Sequence, residues 1–204
     1  GVVIIVLIGF GIFQWTEVMN IDESEDPIII EVYAKQFAWQ ARYAGADNTL
    51  GLGNVNFIDE TNNPIGVDMS DPASLDDKPV TELHLPKGKK VLFKFRSQDV
   101  LHSAYMPHFR AQMNCVPGMV TQFGFTPKYT TEEMRQQSEV MDKTRGINKI
   151  RSDKGEDLYE FDYVLLCNKI CGASHYSMQM KIIVEEEEAY KKWLAEQSTY
   201  AENL

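Results

Sequence analysis

Residues Gly1 to Thr16 carry no charged side chain and are mostly Val, Ile, Leu, Phe and Gly. As a helix this run would span about 24 Å at ~1.5 Å per residue, against the ~30 Å hydrocarbon core of a bilayer. Three readings compete: the outer end of a transmembrane helix whose start is missing, the core of a signal peptide, or a buried strand. A signal peptide would show a basic start and a small-residue cleavage site, and neither is present. Trp15 stands where the apolar run gives way to Glu17, Asp22, Glu23, Glu25 and Asp26, as an interfacial tryptophan does. Residues 1–16 are therefore read as the C-terminal part of a truncated transmembrane helix, its far end facing outward because no Lys or Arg follows it closely.

Beyond Pro27 the pattern is mainly that of strands. Ile28 to Tyr43 is rich in β-branched and aromatic residues, and Phe37, Trp39 and Tyr43 alternate with Gln36, Gln40 and Arg42. Further strands are expected at Thr81 to Leu85, Lys90 to Arg96, Met119 to Thr126, Leu158 to Leu166 and Met178 to Val184. Gly45 to Lys78 is rich in Asn, Asp, Gly and Pro, too polar for core, and reads as an extended loop or insertion. Thr130 to Lys143 has helical propensity, with Thr130 or Thr131 as the N-cap ahead of Glu132 and Glu133. Glu185 to Gln197 reads as a terminal helix with an acidic start. Short strands without βαβ alternation favour a sandwich or barrel. The organisation is thus a β domain over residues 17–184 with insertions near 45–78 and 130–157, then a helix and tail over 185–204.

Composition narrows the function. The 204 residues are 44% hydrophobic and 25% charged, which excludes wholesale disorder and fibrous repeats. Lys plus Arg is 20 and Asp plus Glu is 30, a net charge of −10. That balance argues against nucleic-acid binding and suits a basic protein partner. The chain has 3 cysteines, too few for a fully paired disulfide framework, and two of them lie close together.

Those two belong to Cys167-Asn-Lys-Ile-Cys171-Gly-Ala-Ser-His175-Tyr-Ser-Met178, a Cys-x3-Cys-x3-His-x2-Met spacing. Thiolate, imidazole and thioether within a dozen residues form a soft ligand set that selects copper over magnesium or calcium. Two cysteines suit two ions sharing both thiolates as bridges. Zinc is the competitor, although a Met ligand is unusual there. A second imidazole is needed, and His102, His84 and His108 are the candidates; spacing alone does not choose among them. His102 follows a strand and precedes Pro107, His84 lies within a strand, and His108 sits among Pro107, Phe109 and Arg110.

The ligand loop, Asp99-Val100-Leu101-His102-Ser103, Val116-Pro117-Gly118 and the aromatic Gln36-Phe37-Ala38-Trp39 together resemble subunit II of cytochrome c oxidase. The resemblance implies a cupredoxin-like Greek-key β-barrel preceded by the end of a transmembrane helix and carrying the dinuclear copper centre CuA. Such a subunit is part of an oxidoreductase: it takes electrons from cytochrome c, or a cytochrome c domain, and passes them to haem in subunit I, where oxygen is reduced to water. By the same resemblance, Cys167 and Cys171 bridge both coppers. His102 and Met178 complete one ion, and His175 with the backbone carbonyl of Lys169 completes the other. The domain is expected on the outer face of a membrane, the periplasmic side of a bacterial inner membrane in preference to the mitochondrial intermembrane space.

Two positions depart from the family pattern. Lys169 replaces the usual Glu, whose carboxylate binds an interfacial magnesium, which argues against that ion here. Phe37 stands where the family has the Trp at which electrons enter. Trp39, two residues on, shares a strand face with it, so Phe37 and Trp39 are together expected at the electron entry point. Cys115 matches no ligand position and is expected to be a small buried residue. No Cys-x-x-Cys-His haem motif occurs. Two other classes remain: a structural zinc module on Cys167, Cys171 and His175, opposed by Met178, and a CuA domain serving nitrous-oxide reduction, opposed by the apolar run.

Overall fold

The computed structural model of the chain describes residues 1–19 and 26–203. Asp22, Glu23 and Glu25, read above as following the apolar helix, lie outside the described residues, as does Leu204. The apolar run forms helix α1 (Val2–Met19), which ends three residues beyond the sequence pattern, with no buried residue. At 18 residues it is long and apolar enough to cross a membrane by length and composition.

The remaining elements follow in chain order: β1 (Ile28–Lys35), β2 (Ala38–Tyr43), β3 (Lys78–Val80), β4 (Leu83–Pro86), β5 (Val91–Ser97), β6 (His102–Met106), β7 (Ala111–Cys115) and β8 (Thr121–Phe125). After these come helices α2 (Thr131–Arg135) and α3 (Ser138–Asp153), strands β9 (Tyr163–Cys167) and β10 (Gln179–Glu185), and helix α4 (Glu187–Glu196). The strands build two five-stranded sheets, ordered β3-β2-β1-β5-β8 and β4-β10-β9-β6-β7. The pairs β1·β5 and β10·β4 are parallel and the others antiparallel, so both sheets are mixed. Ile30, Val32, Phe93 and Phe95 from one sheet meet Leu85, Ala104, Leu165 and Ile182 from the other in a single core, the mainly β arrangement expected of a cupredoxin-like domain.

The stretch 45–78 is without long strands, as an extended loop is, but it is not too polar for core. It orders without long strands because Asn54, Asp59, Asp68 and Asp71 accept hydrogen bonds from main-chain N–H groups two residues on. It also contributes core: Ile65 and Val67 are buried with Tyr33 and Tyr200 on the outer face of the first sheet. This cover explains why β1 is buried on both faces, with Ile30, Val32 and Ala34 in the main core and Glu31 and Tyr33 beneath the loop. The cover is fastened by charge. Arg42, only 1% exposed, meets Glu31 through Nε and Asp77 through Nη1, each at 2.6 Å, and donates from Nη2 to the Gly51 carbonyl at 2.7 Å. Arg96 approaches the other Glu31 oxygen at 3.0 Å and lies over the Tyr33 ring.

Two other differences bear on the site. The helix expected over 130–143 is broken into α2 and α3, and α3 runs ten residues further, to Asp153. Thr130 is the N-cap of α2, in a reciprocal capping box with Glu133. The weak helix formers Thr144, Gly146 and Asn148 stay helical because tertiary contacts capture them: the Asn148 amide exchanges two hydrogen bonds with the main chain of Tyr159. More important, residues 102–115, where the sequence pattern indicated no strand, form the hairpin β6–β7.

Candidate metal centre

Strand register brings the soft ligands together. Strand β6 pairs with β9 through Ala104 and Cys167, and the Asn168 N–H bonds the Ser103 carbonyl. His102, first residue of β6, is thereby carried alongside Cys167 at the end of β9. The loop between β9 and β10 is closed at its base by the Cys167 N–H bonding the Met178 carbonyl at 3.1 Å. Within it, a short 3-10 turn over His175–Ser177 folds His175 back toward Cys171.

The resulting cluster is compact. The two cysteine sulfurs are 3.8 Å apart, too far for a disulfide and about the span of two thiolates across one ion at ~2.3 Å. Cys167 Sγ lies 3.7 Å from His102 Nδ1 and 3.2 Å from the Lys169 carbonyl oxygen. Cys171 Sγ lies 3.5 Å from His175 Nδ1 and 3.9 Å from Met178 Sδ. His102 and Met178 are buried, whereas His175 is half-buried and Lys169 exposed. Burial, with the Cys167 sulfur beside it, pushes the Cys171 thiol up to about 11, and a bound cation would reverse that preference. Two thiols, two imidazoles, a thioether and a carbonyl exceed the four ligands of a structural zinc. The donor set fits a soft copper pair.

Of the three histidines left open by spacing, the fold brings one beside the cysteines. His84 is buried in β4, bonded to Glu185 at 2.7 Å and Glu82 at 3.2 Å and stacked on Trp193. His108 sits edge-on to Phe161 and Tyr163, its pKa held down by burial and by Lys143. Only His102 of the three faces the cysteines among the described residues. Cys115 is fully buried opposite His102 in the β6–β7 ladder, and burial pushes its thiol up to about 12.

The aromatic segment divides differently from the shared strand face expected above. Phe37 lies in the turn ahead of β2, so the strand rule does not reach it. It is half-buried, its ring packed over Gly172 of the ligand loop. Trp39 is only 6% exposed and turns inward, edge-on to the His102 ring at 6.2 Å, with Nε1 3.4 Å from the Met178 carbonyl.

Sequence reasoning assigned no role to Asp99 or Gln36. The Asp99 carboxylate accepts from His102 Nε2 at 2.9 Å, from the Gln36 N–H at 2.7 Å and from the Val100 N–H at 2.6 Å. Burial opposes its ionisation, and these three donors outweigh burial to hold it below the usual carboxylate range. The Gln36 side-chain amide donates to the Cys171 carbonyl. The three-residue interval from Asp99 to His102 was visible, but the approach of Gln36, from a turn 63 residues away in the chain, was not.

The family described as cytochrome c oxidase subunit II, periplasmic domain, matches residues 28–150. The chain is 36% identical over 203 residues to the alternative cytochrome c oxidase subunit 2 of Bradyrhizobium diazoefficiens, covering 98% of this chain and 61% of that protein. It is 23% identical over 190 residues to the cytochrome c oxidase subunit 2 of Alkalihalophilus pseudofirmus, covering 90% of this chain and 38% of that one. The chain thus spans less than two thirds of the length of these relatives. The periplasmic domain of subunit II of cytochrome oxidase from Bradyrhizobium japonicum, as a crystal structure, aligns at 17% identity with a TM-score of 0.48, covering 82% of this chain and 91% of that domain. With the family matching more than half of its length, this chain belongs to the cytochrome c oxidase subunit II family.

Proposed function

We propose that this chain is the electron-transfer subunit of a respiratory cytochrome c oxidase, holding a dinuclear CuA centre on the outer face of a membrane. The observation that carries the reading is the convergence of His102, Cys167, Cys171, His175, Met178 and the Lys169 carbonyl from β6, β9 and one closed loop. Cys167 and Cys171 would bridge two copper ions, His102 and Met178 would complete one, and His175 with the Lys169 carbonyl the other. When bound, the copper pair supplies one-electron exchange shared between two metals. The protein's part is rigidity: ligands at strand ends and in a loop closed at its base by the Cys167–Met178 main-chain bond would move little between oxidation states. No general base or substrate pocket is required.

Helix α1 would anchor the domain, which on this reading faces the periplasm of a bacterium. Ile170 and Tyr176, at the tips of the ligand loop, are each 89% exposed. Apolar groups so placed suit coverage by a partner, here subunit I with its haem. Lys169 also projects outward and offers no carboxylate to an interfacial magnesium. The net charge of −10 suits cytochrome c or a cytochrome c domain as a basic donor.

Metal analysis and electron paramagnetic resonance on the purified chain test the proposal. Two coppers per chain sharing one unpaired electron are expected, with His175→Ala changing the spectrum while the β domain stays folded. A spectroscopically silent zinc protein would overturn it.

A further inference from the structure

We propose that Asp99 is the positioning residue for the buried metal-facing imidazole, fixing the orientation and tautomer of His102 and locking it to the Gln36–Phe37 turn. An ionised carboxylate only accepts hydrogen bonds, so the 2.9 Å contact requires the proton on His102 Nε2. That leaves the Nδ1 lone pair directed to the side where Cys167 Sγ lies 3.7 Å away. His102 is fully buried, and none of its polar contacts is with solvent. Its ring is also held edge-on by Trp39. Asp99 is therefore the polar group that decides which nitrogen faces the cysteines.

The same carboxylate has a second task. Its Oδ2 accepts the Gln36 N–H at 2.7 Å while Oδ1 serves His102 and the Val100 N–H. From the other side of the turn, the Gln36 amide reaches the Cys171 carbonyl, and the Phe37 ring closes over Gly172. One short turn thus contacts both chain segments that carry ligands, and Asp99 is its link to the His102 segment. A negative charge bonded to a metal-ligating imidazole raises the basicity of that ligand and favours the more oxidised metal.

This inference rests on the copper reading above, and the experiment separates the two. The full chain in detergent is loaded with copper, and copper affinity by chelator competition, the paramagnetic resonance spectrum and the midpoint potential are measured for Asp99→Ala and Asp99→Asn. Asp99→Ala should weaken copper binding by about 10–100-fold and alter the nitrogen hyperfine pattern from His102. Asp99→Asn keeps an acceptor for Nε2–H without the charge, so it should retain most of the affinity but raise the potential. If Asp99→Ala does not fold, the potential of Asp99→Asn decides. A wild-type chain that takes up no copper would sink the metal reading and this inference with it. A wild-type chain with two coppers, beside an Asp99→Asn variant of unchanged potential or an Asp99→Ala variant of unchanged affinity and spectrum, would overturn the role of Asp99 alone.

Discussion

Replacing Gly172 with alanine tests whether the ligand loop is built to pass beneath the aromatic turn. Gly172 has φ +143°, a conformation that costs a residue with a Cβ on the order of 1–3 kcal/mol. A Cβ there would lie 2.8 Å from Cε1 and Cζ of Phe37 and 2.9 Å from Gln36 Nε2. Ordinary carbon contacts are about 3.5–4.0 Å, so the turn must move by more than half an ångström. Overpacking of this kind costs about 1–3 kcal/mol, and the half-buried Phe37 ring can swing outward, which favours the lower end. The total is about 2–4 kcal/mol. Urea unfolding of the copper-free chain in detergent measures it, alongside Phe37→Ala and the double variant. Phe37→Ala should recover the steric part but not the backbone part, giving a coupling of about 1 kcal/mol or more. A Gly172→Ala variant within about 0.5 kcal/mol of wild type, or a cycle with no coupling to Phe37, would refute the packing argument.

Two further outcomes follow from the same geometry. Burial pushes the Asp77 carboxyl up to about 7 against the pull of Arg42, so the folded state binds more protons than the unfolded between pH 4 and 7, and the Asp77 contribution to stability falls as pH rises through that window. Asp77→Asn lacks this dependence, so its cost should shrink between pH 4 and 8 in chemical denaturation, and a pH-independent difference would contradict the assignment. Phe37→Leu should slow electron arrival from reduced cytochrome c in stopped-flow with an unchanged copper spectrum, whereas Trp39→Phe should shift the spectrum, because its indole touches His102 and the Met178 carbonyl; the reverse pattern would place the electron's arrival at Trp39.

How much of this was legible in the chain divides along the range of the interactions. Helix α1, strands β1, β5 and β10 and helix α4 follow from local hydrophobic period, charge and capping, which act over a few neighbouring residues. The Cys-x3-Cys-x3-His-x2-Met loop is equally local, because four soft donors within a dozen residues declare their chemistry before folding. The sequence could not choose His102 over His84 and His108, since that choice depends on β6 pairing with β9, a contact 63 residues apart in the chain between Ala104 and Cys167. The hairpin carrying His102 was hidden by polar Ser103, Gln112 and Asn114, whose strand conformation comes from pairing and not from propensity. The 45–78 stretch looked like loose surface because its few apolar residues are diluted by turn formers. Only the folded sheet supplies the Tyr33 face that Ile65 and Val67 cover and the Arg42 charge that Asp77 meets. Asp99 and Gln36 acquire their places in the same way: local order determined the ligands, and long-range strand register decided what holds them.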